Sequence, residues 1–319
     1  MPEHRPALRF AHAAKGTVVT VGTFDGMHRG HMLVLERTAA RARARDLASV
    51  ALTFDPHPLD VVNPSAAPPL LTLWPEKLEL IAQTSIDYVV VVPFTTELSA
   101  LSPEQFVRRV LVEGLDMKEL FIGHDHGVGR GRAGDAESLR VIGGRYGFPV
   151  DVVDAMCGAD GEPVSSTTIR RALAHGDLAR ASDGLGRRYS FGGRVTRGER
   201  RGRLLGFPTI NLGPPRPRKL LPPEGVYAVR VQTPSGPFGG MMNLGPRPTF
   251  GDSATSLEVH LFEMSGDLYG EQVRVDFVAR LRETRKFASV EQLTNQLAHD
   301  ERDARNALTQ PLSAGNLKG

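Results

Sequence analysis

Apolar runs alternate with helical patterns through the first half of the chain. The predicted strands are residues 18–21, 49–53, 88–92, 120–122 and 149–153. The run at 88–92 has no polar position apart from its tyrosine, which is typical of a parallel strand covered on both faces. Residues 30–45 predict a helix, and Ser102-Pro-Glu-Gln105 has the sequence of a capped helix start. This alternation predicts a doubly wound α/β domain, in which ligands bind at the carboxyl ends of the strands.

Beyond Gly184 the pattern changes to short strands separated by glycine and proline turns. Examples are residues 225–231, 257–262 and 272–278. Such a pattern predicts an antiparallel β-barrel. A terminal helix is predicted from a second capping sequence, Ser289-Val-Glu-Gln292, to about residue 308. We therefore expect an α/β domain at 1–184, a barrel domain at 185–308 and a flexible tail at 309–319.

Composition argues against a nucleic-acid-binding, membrane-spanning or secreted protein. The 39 basic and 36 acidic residues give a net charge of +3, which provides no general footprint for nucleic acid. No apolar run approaches the roughly 20 residues that span a bilayer, and the N-terminus lacks a secretory apolar core. The single cysteine, Cys157, excludes an intrachain disulfide and a cysteine cluster for zinc or iron–sulfur, which fits a reducing cytosol.

Glycine and histidine are concentrated where the first predicted strand ends, in Gly22-Thr-Phe-Asp-Gly-Met-His28-Arg-Gly30-His31. The N-terminus of the following helix attracts phosphate because it presents free N–H groups and a partial positive charge. His28 and His31 lie on one face of its first turn and can donate hydrogen bonds to a polyphosphate. A second segment, Val164-Ser-Ser-Thr-Thr-Ile-Arg170, places an arginine near a helix start, where a bound polyphosphate would account for it.

A second glycine-rich basic segment, Gly198 to Asn211, lies in the barrel region. Successive glycines in such a loop are suited to wrapping a phosphate chain. If its last residues are extended, Thr209 and Asn211 point to one face and offer hard oxygen ligands suited to Mg²⁺. Farther along, Glu258 falls on the polar face of a predicted strand, which is compatible with a catalytic base.

Together these segments resemble the bacterial bifunctional riboflavin kinase/FMN adenylyltransferase family, also called prokaryotic FAD synthetase. The N-terminal segments, with Thr53-Phe-Asp-Pro-His-Pro58, look like its nucleotidylyltransferase module. The C-terminal segments, with Met242-Asn-Leu-Gly-Pro-Arg-Pro-Thr-Phe250, look like its riboflavin kinase module. The resemblance implies that the barrel phosphorylates riboflavin to FMN with ATP. The α/β module then adenylylates FMN to FAD with release of pyrophosphate.

The resemblance also implies roles for individual residues. In the adenylyltransferase module, His28 and His31 stabilise charge on the α- and β-phosphates. The other implied contacts to ATP are Gly22, Phe24, Gly30, Asp125, Ser165, Ser166, Thr167 and Arg170, and those to the flavin are Phe54, Pro56 and Pro58. In the kinase module, Glu258 is the general base. The implied ATP contacts there are Gly198, Gly202, Arg203 and Gly206, the ligands of Mg²⁺ are Thr209 and Asn211, and the flavin contacts are Arg282, Glu283 and Phe287.

Two departures from the family pattern affect these expectations. The family loop commonly reads Gly-x-Asp/Asn-Phe-x-Phe-Gly, whereas this chain has His126 and Val128 at the aromatic positions. Valine cannot stack on a ring, so one expectation is weaker flavin or nucleotide affinity without loss of activity. Ile210 replaces the alanine of the kinase motif Pro-Thr-Ala-Asn, but strand alternation points it to the core, so the metal ligands remain.

Two alternatives stay open at this point. One keeps the kinase and loses the adenylyltransferase because of the altered loop. The other is a flavin- or RNA-binding regulator on an inactive scaffold, although an inactive site has no physical need for all of His28, His31, Ser166, Arg170, Thr209, Asn211 and Glu258. The leading hypothesis is a cytoplasmic bifunctional enzyme that is a monomer or weak homo-oligomer. It uses ATP and Mg²⁺, has riboflavin, FMN and FAD as substrates and products, and has no nucleic-acid or membrane partner.

Overall fold

A computed structural model describes residues 15–124, 127–197, 202, 205–213, 218–246 and 255–310. The described residues divide into two compact units. The first comprises residues up to Pro69 together with Lys77–Cys157, and the second comprises Leu70–Glu76 together with residues from Gly158 onward. This division differs from the predicted domain boundary at 184/185, which stays a prediction.

The first unit is built on a five-stranded parallel sheet in the order β3-β2-β1-β4-β5. Its strands are β1 (Thr17–Val21), β2 (Ala48–Asp55), β3 (Tyr88–Pro93), β4 (Met117–Gly123) and β5 (Val150–Val153). Adjacent residues of β1 enter different apolar clusters: Val18 packs with Ala42 of a helix, and Val19 packs with Leu52 and Ile122. The sheet is therefore covered on both faces at β1, and the doubly wound α/β prediction is confirmed. At the edge strand β3, Val91 is 39% exposed, so the prediction that this strand is covered on both faces is wrong.

The helices of this unit include the two that the sequence predicts, at residues 30–45 and after Ser102. They are α1 (Arg29–Ala44), α2 (Pro58–Val62), α3 (Trp74–Ile81, begun in the second unit), α4 (Thr96–Ser99), α5 (Pro103–Phe106), α6 (Glu113–Leu115) and α7 (Ala136–Tyr146). The predicted capping box is present, because Ser102 accepts from the Gln105 N–H while its own N–H donates to the Gln105 side chain. A π-helical stretch, Val107–Val112, joins α5 to α6 and has no signal in the sequence.

The second unit contains a closed antiparallel barrel in the order β10-β7-β6-β11-β8-β9. Its elements are helices α8 (Ser166–Ala174) and α9 (Leu178–Leu185), strands β6 (Ser190–Thr196), β7 (Ile210–Leu212), β8 (Gly225–Thr233), β9 (Gly236–Pro246), β10 (Thr255–Leu261) and β11 (Gln272–Arg282), and helix α10 (Val290–Thr309). The predicted barrel and terminal helix are confirmed.

Strand alternation separates the interior of the barrel from its outer surface. Tyr227 and Val229 of β8 are fully buried in the interior cluster, whereas Ala228 between them packs outward with Ala304 of α10. Helices α8 and α9 join the interior cluster through apolar residues that include Ile169 and Leu178. The segment Leu70–Glu76 is bound to this unit by Lys219, whose buried ammonium donates to the Leu71 carbonyl (2.7 Å) and to Glu76 (2.6 Å).

Candidate functional site

The turn after β1 holds two buried side chains in an unusual backbone conformation. Phe24 and Met27 have φ of 48° and 41°, in the left-handed region, and are 2% and 0% exposed. Non-glycine residues enter that region only where packing compensates for the strain, and such positions cluster at functional sites. A Cβ on Gly22 would lie 3.0 Å from the Phe24 ring, so any side chain there would press on that ring.

His28 and His31 are brought together at the start of α1. His28 is the N-cap, and its Nδ1 accepts the backbone N–H of His31 (3.3 Å). In the neutral imidazole the proton then lies on Nε2, which makes that atom of His28 a hydrogen-bond donor. The two rings stack with centroids 3.6 Å apart and planes 20° apart, and Phe24 meets His31 edge-on at 5.3 Å. Gly30 lies between the two histidines, at the second position of the helix.

Sequence reasoning missed Lys77 near this turn. Its Nζ donates to the carbonyl oxygen of Thr23 (2.7 Å), and the residue is only 7% exposed. Burial lowers the pKa of Lys77, while the carboxylates of Asp25 and Asp55 act in the opposite direction. Thr23 and Lys77 are 54 residues apart, so no local pattern could have paired them.

The hydroxyl-rich segment at 165–170 lies in the second unit, at the start of α8. Ser165 is the N-cap: its hydroxyl accepts the Thr168 N–H (3.1 Å), and its N–H donates to the Thr168 hydroxyl (3.0 Å). Thr167 is exposed, and Ser166 and Arg170 are half-buried. Because His28 and Arg170 belong to different compact units, their joint action on one polyphosphate stays a prediction.

Residues expected to frame the flavin lie at the end of β2 and directly after it. Phe54 is half-buried and meets Phe94 edge-on at 5.3 Å. Pro56 follows a cis peptide bond and is exposed, and Pro58 is the first residue of α2. Val128 is 7% exposed and belongs to the same apolar cluster as Phe54, so its side chain is part of the core of this unit. Asp125 and His126 lie outside the described residues.

A row of polar residues crosses three neighbouring strands of the barrel. Glu258 of β10 is directly opposite Asn211 of β7 on one side and Asn243 of β9 on the other. Residues opposite each other in an antiparallel pair have Cβ atoms roughly 5 Å apart on one face. Leu257, Val259 and Leu261 are buried on the other face, which confirms the predicted alternation. The Ser256 hydroxyl, which sequence reasoning missed, donates to Glu258 Oε1 (3.2 Å).

The described part of the glycine-rich loop lies next to this row. A Cβ on Gly202 would lie 2.3 Å from the Phe207 carbonyl oxygen and 3.5 Å from the Thr209 methyl, so the loop can approach Thr209 only with glycine there. Gly206 has a φ of 82°. His260 Nδ1 donates to the Pro208 carbonyl (2.7 Å), which ties the loop to β10. Ile210 packs against the interior cluster, as alternation predicts. Gly198 and Arg203 lie outside the described residues.

Models of two protein families match the chain. The FAD synthetase model matches residues 10–168, and the riboflavin kinase model matches residues 185–308. The bifunctional riboflavin kinase/FMN adenylyltransferase of Escherichia coli K12 is 39% identical over 300 residues, covering 93% of this chain and 95% of that protein. The chain belongs to the bifunctional riboflavin kinase/FMN adenylyltransferase family.

Two other relatives carry the same name, and a solved structure is also similar. The protein of that name from Pseudomonas fluorescens is 38% identical, and the match covers 97% of this chain and 95% of that protein. The protein of that name from Listeria monocytogenes is 37% identical, and the match covers 95% of this chain and 96% of that protein. A crystal structure titled macrolide-efflux protein from Streptococcus pneumoniae matches with a TM-score of 0.82 at 29% identity, covering 92% of this chain and 95% of that one. Among the described residues of this family member, no helix is long and apolar enough to cross a membrane.

In the kinase module of this family member, the predicted flavin residues near the end of β11 differ in their surroundings. Arg282 donates to the carboxylate of Asp300 on α10 through two nitrogens, at 2.8 and 2.7 Å. The Glu283 side chain is exposed, with its carboxylate 3.9 Å from Arg280. Phe287 is half-buried, with the guanidinium carbon of Arg282 5.8 Å from its ring centroid. Of the three residues predicted to contact the flavin here, Phe287 is therefore the one with an apolar side chain.

Proposed function

We propose that the two reactions of the family are divided between the modules through specific residues. The barrel module phosphorylates riboflavin to FMN with ATP, and Glu258 is the base. The α/β module transfers AMP from ATP to FMN, giving FAD and pyrophosphate, and His28 and His31 stabilise the charge that develops on phosphate. The observation that carries the kinase assignment is the register that aligns Asn211, Glu258 and Asn243 on one polar face of the barrel.

In the kinase reaction, the ribityl 5′-oxygen of riboflavin attacks the γ-phosphorus of ATP and ADP leaves. The Ser256 hydroxyl donates to Oε1 of Glu258. Oε2 is then available to accept the proton of the 5′-hydroxyl as the new P–O bond forms. Ser256 and Glu258 are two residues apart on β10, so both side chains lie on the same face of the strand.

The fit of Mg²⁺ to the kinase module depends on oxygen donors beside Glu258. Thr209 provides a hydroxyl and Asn211 an amide oxygen, and the register places Asn211 next to the carboxylate of Glu258. No cluster of three or more His, Cys, Asp or Glu side chains suited to a metal occurs in the described part of the chain. Few protein ligands are typical of Mg²⁺, which is held largely by substrate phosphates and water. Bound there, Mg²⁺ would neutralise charge on the transferred phosphoryl group.

In the adenylyltransferase reaction, an oxygen of the FMN phosphate attacks the α-phosphorus of ATP and pyrophosphate leaves. FMN is already a nucleophile, so no covalent enzyme intermediate is needed. His28 Nε2–H is a donor, because its Nδ1 accepts the His31 backbone N–H. The adjacent N-terminus of α1 adds further N–H groups and a partial positive charge. We propose that Ser165, Ser166, Thr167 and Arg170 bind the same polyphosphate.

We also propose that the enzyme acts in the cytoplasm as a monomer or weak homo-oligomer. The experiment that tests the function uses the purified full-length chain with riboflavin, ATP and MgCl₂, and resolves the products by chromatography. FMN followed by FAD is the expected result. FMN alone would support the kinase-only alternative, and no flavin nucleotide would refute both activities.

A further inference from the structure

We propose that Asp300 on the terminal helix is a positioning residue of the kinase reaction. It holds Arg282, and Arg282 fixes residues 283–289, hereafter the strap, beside the polar face that carries Glu258. The proposal rests on the assignment of Glu258 as the kinase base. The proposal gives α10, which packs on the outer surface of the barrel, a part in flavin binding.

The connection between α10 and the strap begins with a buried ion pair between Asp300 and Arg282. Asp300 is 1% exposed, and its two carboxylate oxygens accept Nε and Nη2 of Arg282 at 2.8 and 2.7 Å. The Gln296 amide, one helical turn earlier, donates to the same carboxylate at 2.8 Å. A bidentate pair of this kind fixes the plane and direction of the guanidinium as well as its charge. The arrangement therefore defines the position of Arg282 at the end of β11.

Arg282 then fixes the strap at two points. Its Nη1 donates to the backbone carbonyl of Glu283 (2.9 Å), the first residue of the strap. Its guanidinium carbon is 5.8 Å from the centroid of the Phe287 ring, and that of Arg285 is 5.0 Å from the same centroid. At its far end the strap stops at Ser289, whose hydroxyl caps α10 by accepting the Gln292 N–H (3.2 Å). The strap is therefore held at its beginning, at its aromatic ring and at its end.

The strap borders the polar face of the barrel. Thr284 and Asn243 both lie close to Gly245 of β9. A Cβ added to Gly245 would lie 3.4 Å from the Thr284 methyl and 3.9 Å from the Asn243 amide nitrogen. Gly245 and Asn243 are two residues apart on β9 and share a face. Asn243 is directly opposite Glu258, so Thr284 lies on the same face as the proposed base. The Thr284 methyl and the Phe287 ring belong to one short segment, and such surfaces suit a flat, largely apolar ring system such as that of riboflavin.

The test compares variants of the full-length enzyme. Asp300→Asn keeps the size of the side chain but removes its charge, and Arg282→Lys keeps the charge but removes the bidentate geometry. Glu301→Gln is the matched control, since Glu301 is the next residue of the helix and pairs with Arg305 in a solvent-accessible ion pair. For each variant, kcat and the KM values for riboflavin and ATP are measured, together with FAD formation from added FMN and thermal unfolding.

Asp300→Asn and Arg282→Lys should each raise the KM for riboflavin by about tenfold or more, because small displacements of substrate-positioning groups cost up to about a hundredfold. The KM for ATP and FAD formation from FMN should stay within about twofold. The double variant should be no worse than the poorer single variant, because the two residues act as a unit. Glu301→Gln should match the wild type in every assay.

An unchanged KM for riboflavin in a folded Asp300→Asn enzyme would overturn the proposal, even if its unfolding temperature falls. Should that variant not fold, Arg282→Lys tests the same claim, and an unchanged KM there is equally decisive. A wrong assignment of Glu258 as the kinase base would give a different result. In that case Glu258→Gln would form FMN at the wild-type rate, whatever the effect of Asp300→Asn on the KM for riboflavin.

Discussion

The hydrogen bond from Ser256 to Glu258 provides a sharp test of the kinase geometry. Ser256→Ala removes one hydroxyl from a buried position and leaves the carboxylate in place. Hydrogen bonds to charged groups contribute about 1.5–3 kcal/mol. At 3.2 Å this bond is longer than the usual 2.5–3.0 Å for O–H···O, so the lower limit applies. A loss of about 1.4 kcal/mol corresponds to a tenfold fall in rate.

The assay is the initial rate of FMN formation, with kcat and KM determined separately for riboflavin. We expect kcat to fall about tenfold with little change in KM, because the hydroxyl bonds to the proposed base and its role is to orient that base. FAD formation from added FMN serves as an internal control. Ser235→Ala, in the exposed turn between β8 and β9, is the matched control and should behave as wild type. A folded Ser256→Ala enzyme with wild-type kcat would refute the reasoning.

Three further predictions concern other parts of the molecule. Gly202→Ala should raise the kinase KM for ATP by at least about tenfold, because its Cβ would overlap the Phe207 carbonyl oxygen at 2.3 Å; an unchanged KM in steady-state kinetics would contradict this. Lys77→Met should lower kcat/KM for FAD formation by about tenfold while leaving FMN formation unaltered, because the turn loses a donor to Thr23; equal losses in both assays would argue for a general folding defect. Partial desolvation and the neighbouring Glu119 raise the pKa of the solvent-exposed Asp151, so its contribution to stability is complete at low pH and is lost as pH rises through that pKa. Asp151→Asn should therefore gain unfolding temperature relative to wild type as the pH rises above the ordinary Asp pKa of about 3.9, and a pH-independent difference would exclude this explanation.

Local signals in the sequence are sufficient for the two fold classes, for several strands and for the helices that begin near Arg29, at Pro103 and at Val290, but not for the π-helical stretch at Val107–Val112. The phosphate-binding interpretation rested on glycines and histidines within ten residues, and the capping sequences at Ser102 and Ser289 both begin helices. At Ser289 one detail differs: the Gln292 side chain accepts from the N–H of Ala288, one residue earlier than a capping box requires.

Contacts between distant residues could not be predicted in the same way. Asn243 becomes a neighbour of Glu258 only through the register of β9 and β10, which the sequence pattern does not specify residue by residue. Ser256 lies two residues before Glu258 on the same strand, so strand alternation alone could have identified it. The pairing of Arg282 with Asp300 likewise depends on where α10 packs against the barrel. The resemblance implies flavin contact for Arg282, which stays a prediction, and the structure adds that its guanidinium pairs with a buried carboxylate.

The central claim is that two separate groups of residues perform two consecutive reactions. The most direct measurement assays both reactions in two variants, Glu258→Gln and the double variant His28→Ala/His31→Ala. Glu258→Gln should form no FMN from riboflavin yet convert added FMN to FAD, and the histidine variant should form FMN but no FAD. Loss of both activities in either folded variant, or FMN formation at the wild-type rate by Glu258→Gln, would contradict the account.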